Sequence, residues 1–128
     1  MTDNAPPMEN ERDHREIITA MRGGAGSVIV RHFRFDGGAA PARFLILEIP
    51  PGAAEGVHTH YADDRNGIGA YDEFYYIIAG KGLMTLGSDT FPVAAGDYLH
   101  APLDIARGLA NADSEHPLKV HLTVVLRD

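Results

Sequence analysis

The chain has 128 residues and a formal charge of −7. That length allows one domain with a real core, and the acidic balance argues against a nucleic-acid or anionic-membrane partner. It has no cysteine, which excludes disulfides, thiolate catalysis and Cys-ligated zinc.

Taken in order, residues 1–15 are polar, more acidic than basic, and lack the apolar stretch of a secretory signal, so a cytoplasmic location is expected. No apolar run approaches the roughly 20 residues needed to cross a bilayer. Residues 1–26 are read as an N-terminal arm, partly flexible or packed on a partner subunit, and residues 27–128 as the folded domain. Within the arm, 16–21 fit a strand or a helical turn equally well. Residues 22–26 form a glycine-rich loop, but no Lys-Ser/Thr or helix follows as a phosphate cradle requires. Residues 27–35 alternate, with Val28, Val30 and His32 on one face. Asp36-Gly37-Gly38 is a turn, and 43–49 is nearly all apolar, as in a strand buried on both sides. Further strands are expected at 57–61, 73–79, 83–86, 90–93, 98–101, 107–111 and 118–126. In the last, Leu118, Val120, Leu122 and Val124 share a face. Short strands with turn signals every few residues and no βαβ alternation predict an all-β antiparallel sandwich or barrel. The mouth of such a barrel can hold one ligand.

His58 and His60 lie two apart in an extended context, so both imidazoles project to one side. Glu73 opens an aromatic, apolar strand. If these two strands are neighbours, two imidazoles and a carboxylate converge into a ligand set for a divalent metal: iron, manganese, nickel, copper or zinc.

These residues resemble the cupin family. Its first motif is Gly, five residues, His-X-His, a gap, Glu, six residues, Gly. Gly52, His58, His60, Glu73 and Gly80 match it, flanked by Phe74-Tyr75-Tyr76-Ile77-Ile78 and Gly80-Lys81-Gly82. Gly96-Asp97, Pro102 and Asn111 match the second motif. The resemblance covers residues 42–127 and implies a cupin-like β-barrel (jelly roll), a metal in its mouth held by His58, His60 and Glu73, and often a homodimer.

The chain departs from that pattern in three places. Ala94 replaces a turn proline. Twelve residues, 61–72, separate His60 from Glu73 where the family has a short gap. Arg107 stands where the family has its fourth ligand, a histidine, and a guanidinium cannot ligate a metal. Three readings follow. The triad binds metal with open positions, and Arg107 holds an anionic substrate group. Alternatively His32, His100 or His121 replaces the missing ligand. Or no metal binds, and Arg107 neutralises Glu73 in an ion pair. Tyr75 shares a face with Glu73 and is either a pocket acid, base or donor or a packing aromatic. Tyr75 and Arg107 are thus the catalytic candidates. Arg107, Tyr75, His100 and His121 are the substrate-binding ones. The 61–72 insertion reads as a lid or as a solvated charge cluster. The expected function is a metal-dependent enzyme on a small polar or anionic molecule, with a non-catalytic small-molecule binder as the alternative.

Overall fold

The computed structural model describes residues 8–33 and 42–127. Ten strands are present among them: β1 (Arg15–Thr19), β2 (Ser27–Phe33), β3 (Ala42–Ile49), β4 (Ala54–His58), β5 (Tyr71–Ala79), β6 (Lys81–Leu86), β7 (Asp89–Ala94), β8 (Tyr98–Ala101), β9 (Arg107–Asn111) and β10 (Leu118–Leu126). They form two antiparallel sheets, ordered β1-β2-β3-β10-β5-β8 and β4-β9-β6-β7. The sheets share one core and form the cupin-like barrel, although among the described residues their ladders do not join into a closed ring.

Strand β10 is the centre of the larger sheet. Its alternation is the cause: Leu118, Val120, Leu122 and Val124 are buried, while Lys119, His121 and Thr123 face outward and are half-buried. Residues directly opposite across a ladder share a face, so the register lays out the inner surface in rows. Glu73, Val124 and Arg43 form one row. Tyr75, Leu122, Leu45 and His32 form the next. Ile77, Val120, Leu47, Val30 and Glu16 form the third. The rows grade from polar to apolar, which places the site at one end of the core and hydrophobic packing at the other.

Several expectations are corrected here. The histidine strand ends at His58, and His60 lies beyond it. It pairs with β9, and so is not a neighbour of β5; the imidazoles and Glu73 come from opposite sheets and meet across the core. Burial of β3 is not two-sided along its length, because Phe44 is exposed and Glu48 half-buried while Leu45, Leu47 and Ile49 face the core. In the arm, residues 15–19 pair with β2 of the same chain, and a single 3-10 turn, Met21–Gly23, follows. The predicted turn at Asp36-Gly37-Gly38, residues 1–7 and the end of the 27–35 strand lie outside the described residues.

Candidate metal centre

His58 and His60 reach the site from the end of β4 with rings 5.0 Å apart and nearly perpendicular. Their Nε2 atoms lie 3.9 Å and 3.4 Å from Glu73 Oε1. The ligand atoms of all three residues fall within 4.8 Å of one another. Each ring is oriented by a backbone carbonyl: His58 Nδ1 donates to Gly56 O at 2.8 Å, and His60 Nδ1 to Gly69 O at 2.9 Å. A carbonyl only accepts, so both protons sit on Nδ1 and both Nε2 atoms present lone pairs. Burial lowers both imidazole pKa values, that of His58 to about 4, so neither ring carries a second proton at neutral pH. Two lone pairs and a carboxylate oxygen thus face each other with no hydrogen between them, and His60 Nε2 is buried without a partner. This arrangement fits a cation. A divalent metal with three protein ligands and open positions matches the donor set.

The 61–72 insertion supplies the orienting carbonyl for His60. It is tied down by Ala62 N donating to Asp104 Oδ1, Asn66 Nδ2 to Thr59 O and Gly69 N to Asp64 Oδ1. Gly69 has φ +102, and a Cβ there would come within 2.2 Å of the Tyr71 ring, so glycine is required. Tyr71 in turn packs edge-on against His60, centroids 5.3 Å apart.

Arg107 is fully buried directly opposite His58 in the β4–β9 ladder. Its Nη1 donates to Glu73 Oε1 at 2.8 Å, Nε to Ile105 O at 3.0 Å, and Nη2 to Pro102 O. The ion pair of the third reading is therefore present together with the triad of the first. The guanidinium holds Glu73 in place and does not line the cavity.

No histidine replaces the fourth ligand among the described residues. His32 lines the cavity, paired with Glu16 at 3.4 Å. His100 lies on the outer face, bonded to Asp72 and stacked on Phe74. His121 stacks on Phe44, also outside. The structure does not bring these two to the mouth, because each alternates with inward residues of its strand. Tyr75 is fully buried below the site, and its hydroxyl donates to Glu55 Oε1 at 2.8 Å.

Glu55 is the site residue that sequence reasoning missed. It is 3% exposed, lines the cavity, and has its pKa pushed up to about 8 by burial and by Glu73. Simple alternation puts Glu55 and His58 on opposite faces. The ladder shifts register between them, so Glu55 opposes Leu109 and His58 opposes Arg107, both inward. The bulge contains Gly56, where a Cβ would collide with Arg22 O at 2.1 Å. A glycine in a strand four residues after a strand-breaking Pro-Gly was the available signal.

The site opens into a cavity of about 320 Å³. Its deep end carries Glu55, His58, His60 and Glu73, and Arg22 and Arg43 line it as well.

Among known proteins, an oxalate-binding protein of Thermotoga maritima is 33% identical over 84 residues, 64% of this chain and 63% of its own length. An uncharacterised protein of Methanocaldococcus jannaschii is 33% identical over 72 residues, 56% of this chain and 50% of its own. The chain thus spans between half and just under two-thirds of these curated relatives. A Thermotoga maritima structure named as a predicted oxalate decarboxylase superposes with a TM-score of 0.79 at 26% identity, covering 92% of this chain and 97% of that one. A cupin 2 conserved barrel protein from Salinispora arenicola gives 0.70 at 13% identity, covering 96% and 90%, a likeness of fold alone. The family model of the cupin domain matches residues 45–125, so the chain belongs to the cupin family.

Proposed function

We propose that this cupin is a metal-dependent enzyme acting on a small carboxylate anion. The observation that carries the reading is the facing set of His58 Nε2, His60 Nε2 and Glu73 Oε1, three acceptors of which only Glu73 Oε1 receives a proton donor, Arg107 Nη1. A bound divalent ion would polarise a substrate oxygen or activate water or oxygen. The chain's own residues supply the rest. Gly56 O and Gly69 O fix the imidazole tautomers. Arg107 offsets the charge of Glu73. Without a metal, burial and the neighbouring Glu73 push the Glu55 pKa up to about 8, which limits the negative charge at the deep end. A divalent ion there makes a positive pocket inside a chain of charge −7, and such a pocket selects anions. The oxalate-binding and oxalate decarboxylase names of the Thermotoga proteins agree with a carboxylate.

A metal-free or non-catalytic binder is the second reading, favoured by the Arg107–Glu73 ion pair, which already neutralises the carboxylate. The two separate on incubating metal-reconstituted protein with oxalate and other short carboxylates while following substrate by NMR. Consumption that disappears in His60→Ala supports the enzyme; saturable binding with no consumption supports the binder.

A homodimer is part of the proposal. The outer face of the larger sheet carries Phe44, Phe74, Tyr76 and Tyr98, with Tyr98 78% exposed. A second copy is the cover we assign to it.

A further inference from the structure

We propose that the cavity takes an elongated anion: a carboxylate at the metal end, an apolar body, and a second anionic group bound by Arg43 across the cavity. This rests on the metal-site reading above and adds the substrate class and a second anchoring point.

Size is the first argument. A cavity of about 320 Å³ lies at the lower edge of the roughly 300–1,000 Å³ typical of sites that bury drug-sized ligands. Oxalate, two joined carboxylates, would occupy only the metal end.

The lining is the second. Beyond the triad much of the wall is apolar, formed by Val30, Leu45, Leu122, Val124, Ile18 and Met21, with Glu16 and His32 as polar members. Oxalate has no apolar atoms to place there. Glu73 and Arg43 share one row with Val124 between them, two strand spacings or roughly 10 Å apart. A chain of several carbons bridges that span.

The third argument is the two guanidinium groups. Arg31, Arg65, Arg107 and Arg127 each have a carboxylate partner. Arg22 and Arg43 line the cavity with no carboxylate at ion-pair distance among the described residues. Glu16, another carboxylate of the lining, is paired with His32. Arg43 lies 5.7 Å over the Tyr71 ring, which abuts His60. Arg22 is held in a left-handed conformation, φ 52 and ψ 32, that a non-glycine residue rarely adopts. What holds it is backbone packing of the 3-10 turn on β4: a Cβ on Gly24 would meet Ala54 O at 2.2 Å, and one on Gly56 would meet Arg22 O. Arg22 thus lines the cavity at the triad end, where its charge bears on Glu55, His58 and His60. Arg107, the cation expected to hold substrate, is committed to Glu73.

Calorimetric titration of the metal-loaded full chain with oxalate, succinate, adipate and suberate tests this. Affinity is expected to rise from oxalate to the longer acids. Arg43→Gln should weaken adipate about tenfold and change oxalate less than twofold. Tightest binding to oxalate, or equal loss for oxalate and adipate, or no loss at all, overturns the proposal and leaves the metal reading standing. If the protein holds no metal yet adipate binding still falls in Arg43→Gln, the Arg43 site stands and the metal reading fails.

Discussion

Arg107 replaces a ligand with a buried cation, and the consequence is a charge balance in which Glu73 depends on it. Removing one partner of a buried pair leaves the other charge uncompensated, at a cost of about 3–5 kcal/mol. Arg107→Ala should therefore lower unfolding stability by that order in chemical denaturation. Arg107→His should instead tighten metal binding, since the position faces His58 across the ladder; unchanged metal affinity would show that this position does not reach the metal. Glu55 makes a second prediction. Its folded pKa, about 8, exceeds the ordinary 4.5, so between those values the folded state binds more protons than the unfolded. The contribution of Glu55 is then fully present below pH 4.5 and lost as pH rises toward 8, by at most about 1.4 kcal/mol per pH unit. Glu55→Gln should remove this decline. Denaturation of chelator-treated protein across that range, showing parallel curves for variant and wild type, would contradict it.

At the scale of elements, the 61–72 loop helps to build the proposed metal site. Its Gly69 carbonyl selects the tautomer of His60, and its glycine is demanded both by φ and by the Tyr71 ring. Gly69→Ala should weaken metal affinity about 10–100-fold, the usual effect of losing an orienting partner, with a smaller effect on folding. Metal titration by competition with a chelator reads this, and unchanged affinity would mean the loop is a mere cover. Elements also show what the sequence could reveal. Strands β8 and β10 and the buried face of β10 follow directly from alternation. His58, His60 and Glu73 were legible through their spacing, and they converge. Glu55 was hidden because a bulge inverts the parity of β4, and parity is all that alternation can read. His100 and His121 were misplaced for a different reason: a histidine on an alternating strand fits either face, and packing against Phe74 and Phe44 decides it. Arg22 lay in a glycine-rich loop whose contact with β4 is long-range, so no local pattern announces it.

For the whole molecule, the outward face of the larger sheet pairs rings across strands: Phe44 with His121, Phe74 with His100, Tyr76 with Tyr98. If this face joins two copies, Phe74→Glu with Tyr98→Glu should convert a dimer to a monomer in light scattering without loss of β-sheet signal. A dimer that persists would place the interface elsewhere. The other polarity of the molecule is internal: the proposed anion-selecting pocket, enclosed by an acidic chain, depends on the proposed metal. Elemental analysis of protein purified without a metal-affinity tag is therefore the most direct test. The account predicts about one divalent ion per chain, lost in His58→Ala and His60→Ala variants that keep their fold. Sub-stoichiometric metal that does not fall further in His58→Ala would contradict it.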